Sequence, residues 1–388
     1  MTTTRSASKK QEPSTSAPLA TEAQPGSKHK TEEVGEERAP SPKRSKKEEP
    51  EASASGNPKE TKEVQGKGET KKTEEEGAKL EKKESKQAPT PRSKEEASAV
   101  EPQGREEPEA LPASILEKGI IYFFFRGRVN VDQPSSVSEI ARSYIILRPI
   151  EKDAKLGSGP IGDAGNSRVC VIPKKVLPQS GRDRWTGFVE KAGTSFQQIK
   201  EEFLASSEYQ TKTAGERHVP AAIPIGEGIY AINSTERESH LAYLLTIPKE
   251  LGEVQKEMGL KEKGSFIIST KNPEYPGPQN ARLPRPPEYP RELLEEFRSL
   301  RWIPTQPKHL NYVNTQFLLI GESSGIKKAF EAQKEDKEEG RTEPTKEMEQ
   351  LAEEDSKRMK ELRKDELDCI FADLQAHADD YPKLQTTF

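Results

Sequence analysis

From Leu111 onward, short runs of apolar and β-branched residues alternate with polar turns, whereas the preceding 110 residues hold only scattered Val and Leu. No Phe, Trp or Tyr precedes Tyr122, and then Tyr122-Phe123-Phe124-Phe125 follow one another. Successive side chains of a strand point to opposite faces, so Phe123 and Phe125 share one face and Tyr122 and Phe124 the other. The run therefore predicts a strand over 120–129 that is buried on both sides. Similar apolar runs predict strands over 143–150, 168–176, 185–191, 228–233, 240–247, 264–270 and 317–320. Helical spacing places Phe196, Ile199, Phe203 and Leu204 on one face of a helix over 195–204, capped by Thr194 or Ser195. Further helices are predicted over 251–258, ended by Gly259, and over 288–300, with Pro290 near its first turn. A helical turn is expected at 136–142, and the proline-rich stretch 272–290 is expected to wrap the surface without regular structure. Hairpins and short helices without regular βαβ alternation predict an α+β fold: a single module with a mixed, largely antiparallel sheet and a few short helices.

This pattern divides the chain into four parts. Residues 1–110 form an arm with 22 basic and 23 acidic side chains, a polyampholyte too poor in apolar surface to offset the entropy of ordering. It is expected to be disordered. The α+β module spans 111–325 and a polar linker 326–344. A charged helix and C-terminal docking element follow over 345–388. The helix places Met348, Leu351, Met359, Leu362, Ile370 and Leu374 only partly in heptad register, which leaves open a coiled coil or a helix packed back on the module.

Composition narrows the function classes. The chain is 33% charged and 30% hydrophobic, below the apolar content of ordinary globular domains. The two cysteines, Cys170 and Cys369, are too far apart in sequence for a disulfide framework or a zinc finger and suit a reducing compartment. Apolar runs are too short to span a bilayer, and the opening Met1-Thr2-Thr3-Thr4-Arg5 lacks the apolar stretch of a signal peptide. A soluble, intracellular protein without a membrane partner is expected. Within the arm, Ser41-Pro42-Lys43-Arg44-Ser45-Lys46-Lys47 is the compact, non-helical cluster that a nuclear import receptor reads, with Lys43, Arg44, Lys46 and Lys47 as its cations. Nuclear localisation, with residence in the cytoplasm as well left open, is the expectation.

No cofactor is expected. Gly157-Ser158-Gly159-Pro160-Ile161-Gly162 matches the dinucleotide fingerprint in letters, but a proline sits inside it and a strand rather than a helix follows. His218, His240 and His309 lack metal-ligand spacing. No nucleophile elbow or P-loop occurs, so catalysis is the lesser expectation. Lys212, Arg217, His218, Glu227, His240 and Lys271 form a candidate ligand site. Cations from an irregular 211–218 loop and Lys271 would hold a phosphate or carboxylate, and a histidine beside Glu227 would shuttle a proton. The competing reading is that these groups pair among themselves. From Lys118 to Arg184 there are twelve Lys/Arg against six Asp/Glu. Arg126, Arg128, Lys174, Lys175, Arg182 and Arg184 are therefore candidate nucleic-acid contacts, with the neighbouring aromatics as stacking surfaces.

Three strings resemble a group of filamentous-fungal proteins that carry the label BTB domain transcription factor: Glu117–Asn130 (EKGIIYFFFRGRVN), Gly159–Asn166 (GPIGDAGN) and Pro220–Tyr230. Lys271-Asn272-Pro273 and the terminal Tyr381–Phe388 extend the resemblance. It implies a transcription-related role and supplies no catalytic residues. The fold class follows from the strand pattern rather than from the label. Together these readings describe a nuclear binding or regulatory protein whose module engages a protein or nucleic-acid partner. The alternative is an enzyme or small-ligand-binding domain built on the loop pocket.

Overall fold

A computed structural model describes residues 100–102, 112–212, 215–235, 237–277, 282–331, 334–362 and 366–388. The chain divides into two units, Met1–Gln87 and Ala88–Phe388, and the described residues all lie in the second. The import cluster Lys43, Arg44, Lys46 and Lys47 is outside them.

The strands, in chain order, are β1 Val100–Pro102, β2 Ile115–Gly127, β3 Ile140–Ile150, β4 Ala154–Leu156, β5 Ser167–Ile172, β6 Arg184–Thr194, β7 Ser207–Thr211, β8 Gly215–Val219, β9 Ile223–Ser234, β10 Ser239–Ile247, β11 Lys263–Lys271, β12 Trp302–Pro304 and β13 Gln316–Gly321. Eight of them follow one another as β10-β9-β2-β3-β5-β6-β13-β11, and β11 pairs back to β10 from Ser239↔Ile268 to Leu244↔Lys263. The largely antiparallel sheet expected from the sequence thus closes into an eight-stranded barrel whose pairings are all antiparallel. Closure leaves this sheet without a free edge except where β12 branches from the end of β11.

Strand alternation separates the barrel's inside from its outside. Ile121, Phe123, Phe125, Ile145, Leu147, Cys170, Tyr230, Tyr243, Phe266 and Phe317 belong to the interior cluster. Tyr122, Phe124, Ile146, Val171, Ile229 and Leu244 face outward into a second one. The aromatic run is therefore buried on both faces, each of its four rings being at most 1% exposed. An eight-stranded barrel has an interior that side chains fill, and fitting these rings needs small residues opposite them. A Cβ on Gly187 would lie 2.6 Å from the Phe317 ring, and one on Gly264 2.5 Å from Tyr243.

The helices are short except in the C-terminal segment. Helix α1 (Phe196–Gln198) starts with a Ser195/Gln198 capping box and continues as a π-helical turn over Ile199–Leu204. Then come α2 (Glu253–Glu257), α3 (Arg291–Glu296), α4 (Lys334–Glu338), α5 (Pro344–Leu362) and α6 (Glu366–Asp373). The single charged helix expected beyond residue 344 is thus two helices. Met348, Leu351, Met359, Ile370, Phe371 and Leu374 pack on the outward face of the barrel. Burying each such side chain contributes about 1.5–3 kcal/mol. The tail is a wall of the folded unit, and the apolar face that suggested a coiled coil is covered by the barrel.

Candidate functional site

The C-terminal helices cover only part of the barrel wall. The outer face of β6, β13, β11 and β12 carries half-exposed side chains instead: Thr186 and Phe188, Gln316, Leu318 and Ile320, Ile267 and Ser269, and Trp302. Their register is fixed by the pairings Lys271↔Trp302, Thr270↔Phe317 and Ser269↔Leu318. Residues directly opposite one another point to the same face, so Gln316, Lys271 and Trp302 form one row across three strands.

Lys271 is 9% exposed, and its ammonium donates to Gln316 Oε1 at 2.6 Å. Among the described residues no carboxylate lies within ion-pair distance of it. Its pKa is lowered, first by burial and then by the positive charges of Arg301 and Arg282. Both guanidiniums are exposed and unpaired among the described residues. The neighbouring loop is held firmly. Asn272 N–H donates to Arg301 O at 2.9 Å, its side-chain amide to Leu300 O at 3.2 Å, and Tyr275 O–H to Ser299 O at 2.8 Å. Arg298 takes the left-handed conformation (φ 50°) that turns the chain toward this corner. Tyr275 and Leu300 stand out from it, 37% and 54% exposed. The result is a rim with three cations, two aromatic side chains, an exposed leucine and the exposed Glu274, whose N–H donates to Asn272 Oδ1 at 3.0 Å.

The other candidate ligand residues are placed elsewhere. The stretch expected as an irregular loop is the β7–β8 hairpin, in which Tyr209 lies opposite Arg217 and Glu208 opposite His218. Its strands escaped notice because both faces are wet and polar, leaving no apolar alternation. Lys212 is exposed at its turn and Arg217 half-exposed, while His218 reaches Asp132 at 2.7 Å and Glu208 at 3.8 Å. His240 is fully buried, with Nδ1 2.9 Å from Glu322 and Nε2 without a hydrogen-bond partner. Glu227 is also fully buried, against α5. On β9, Glu227 is six residues from Asn233, the register partner of His240, a separation of about 20 Å at strand rise. The six residues occupy four separate places, and no common pocket brings them together.

Of the candidate nucleic-acid residues, Arg126 is consumed inside the fold. It donates to Phe203 O, to Pro220 O at 2.6 Å and to Ala205 O at 3.3 Å, and lies 5.4 Å from the Phe203 ring centre. Lys175 donates to Ser138 O, whereas Arg128, Lys174, Arg182 and Arg184 are exposed. Arg184 lies opposite Ile320, and Ile320 opposite Ile267, at the end of the open face away from Lys271. The aromatics of 122–125 are buried, so none is available to a base. Arg282, Arg301, Trp302 and Tyr275 escaped the sequence reading. The one signal they offered was an Arg-Trp pair following the exposed Leu300.

Glu227 belongs to a sealed charge network beneath α5 and α6. Arg358 donates to Asp373 Oδ1 at 2.6 Å, to Asp355 Oδ1 at 2.5 Å and to Glu227 Oε1 at 3.3 Å, and none of these side chains is exposed. Arg148 donates to Asp373 Oδ2 at 3.2 Å and to the Tyr122 hydroxyl at 2.8 Å, and Thr246 donates to Asp355 at 2.6 Å. Burial, then Asp373 and Asp355, push the Glu227 carboxyl well above its usual range. Burial opposes ionisation of Asp373 too, but Arg358 and Arg148 outweigh it and hold that carboxyl low. Burial raises the Asp355 carboxyl as well, so of the three carboxylates facing the two guanidiniums Asp373 is the one held most firmly as an anion. This is a latch that fixes the C-terminal helices, with no opening for a substrate.

Comparison with protein-family models, with curated proteins and with solved structures found no match to this chain. A cleft of about 520 Å³ between α5 and the β10–β11 edge carries charges of both signs, and Lys263 and Glu349 pair across it at 2.9 Å. Among the described residues no helix is long and apolar enough to cross a membrane, and no cluster of His, Cys, Asp and Glu has metal-binding geometry.

Proposed function

We propose that this is a nuclear binding protein whose barrel engages nucleic acid through its uncovered wall, in a transcription- or chromatin-related role. The observation that carries the reading is the group of Lys271, Arg282 and Arg301, three cations on one rim without a carboxylate to neutralise them among the described residues. Cations left unpaired by their own chain repel one another until an anion arrives. A phosphate backbone supplies anions at regular spacing and gains affinity by releasing its counterions. The basic cluster Lys43, Arg44, Lys46 and Lys47 supports nuclear import through an import receptor.

A gel-shift assay with the full chain and random-sequence DNA and RNA tests the binding. Wild type shifts the pool, and Lys271→Gln/Arg282→Gln/Arg301→Gln shifts it only at much higher protein concentration. A triple variant with wild-type circular dichroism and an unchanged shift contradicts the reading. Changing Lys43, Arg44, Lys46 and Lys47 to Ala is expected to move a fluorescently tagged protein out of the nucleus, and an unchanged nuclear signal refutes the import assignment.

A further inference from the structure

From the same rim we infer that the nucleic acid is bound as a single strand, with a phosphate held by Lys271, Arg282 and Arg301 and an unpaired base stacked on Trp302. This rests on the reading above and names the form of ligand its cations take.

Lys271 and Trp302 are direct partners on adjacent antiparallel strands, so their side chains leave the same face about 5 Å apart at Cβ. That spacing is within the reach of a single nucleotide, whose phosphate and base are separated by one sugar. Lys271 has three ammonium protons, and Gln316 accepts one of them. The others are free to meet phosphate oxygens, with the two exposed guanidiniums closing round the same anion.

Half-buried Trp302 offers an indole surface fixed by β-pairing, and Tyr275 stands 37% exposed on the loop that Asn272 holds beside it. Aromatic platforms beside a cationic track are how proteins hold unpaired bases, because every base has a face to stack. A duplex hides those faces. Reading it through the major groove takes a projecting helix or a two-stranded ribbon, and this rim lies on a barrel wall. Of the two ribbons among the described residues, β7–β8 bonds to Asn130 beyond the far end of β2, at the opposite end of the barrel from Lys271, and β1–β4 lies against α5, where Leu156 N–H donates to Glu354 at 3.0 Å. An acidic peptide would satisfy the cations but leave the aromatic row unused.

Trp185 and Trp302 are the chain's two tryptophans, so in the full chain carrying Trp185→Phe the fluorescence of Trp302 reports on this row alone. The variant is titrated with a twelve-nucleotide mixed-sequence single strand, with its duplex, with inorganic phosphate and with poly-glutamate. The inference expects strong quenching by the single strand, at least tenfold weaker binding of the duplex, and little response to phosphate or poly-glutamate. In a wild-type background monitored by fluorescence anisotropy of labelled oligonucleotide, Trp302→Ala is expected to lower single-strand affinity about tenfold or more. Arg301→Gln and Arg282→Gln, both at exposed positions, lower it without touching the barrel. Equal affinity for single strand and duplex, with Trp302→Ala unchanged, overturns the single-strand inference and leaves nucleic-acid binding intact. Binding of poly-glutamate but of no nucleic acid overturns both.

Discussion

Two cations pack against the outside of the same barrel, Arg358 beneath the C-terminal helices and Lys271 on the uncovered wall. Arg358 has no exposed surface and faces Glu227, Asp355 and Asp373. Lys271 is nearly as buried, yet it meets an amide oxygen and the fields of two more cations. In the first region the chain supplies its own counter-charges, and the ions serve to fix helices on a scaffold. In the second, no carboxylate among the described residues lies within ion-pair distance, and the proposed function has an external phosphate complete the charge. A buried ion pair is poor evidence of function, since structure alone accounts for it. A buried cation with no counter-ion among the described residues is better evidence, because nothing in its surroundings compensates its lost hydration.

Arg358 is the more costly of the two cations to remove. Replacing it with Ala strands carboxylates in a sealed interior and is expected to cost about 3–5 kcal/mol, read as a lower urea midpoint and faster proteolysis of the C-terminal helices. A smaller effect comes from Glu227, whose raised pKa means that the folded state holds a proton the unfolded chain releases. Stability from this group is fully present below its ordinary value of 4.5 and is lost as pH rises toward the folded value. The slope is at most about 1.4 kcal/mol per pH unit. Glu227→Gln keeps the shape without the proton, and urea melts across pH 4.5 to 8 should show a flatter decline than wild type. The smallest effect belongs to Lys271→Met, which removes a desolvated, repelled charge and keeps the stem. Its urea midpoint should be unchanged or slightly higher while nucleic-acid binding falls. A large loss of stability would mean that Lys271 is a structural ion like Arg358.

Much of the scaffold was legible in the sequence because most strands bury one or both faces. Tyr122–Phe125, Arg168–Ile172 and His240–Ile247 announce themselves by apolar content. The ring was not legible. Insertion of β13 between β6 and β11, and the return pairing of β11 to β10, join segments whose order no local pattern encodes. The polar hairpin of 207–219 was lost for the opposite reason, having nothing apolar to alternate. Asp355, Arg358 and Asp373 read as solvent charges on a polar helix, since only the barrel that covers them makes them a network. At the candidate site Lys271 was visible at the end of a strand. Arg301 and Trp302 were not, because they reach it through β12, some thirty residues later in the chain.

If phosphates complete the charge of the uncovered wall, affinity falls with added salt in proportion to the number of phosphates neutralised. For a single strand, each phosphate neutralised contributes about 0.7 to the slope of log affinity against log salt. Changing Lys271, Arg282 and Arg301 to Gln together should therefore make the slope of the full chain shallower by about 2, with the unfolding midpoint preserved. A triple variant with the wild-type slope and affinity would place binding elsewhere on the molecule and contradict the account.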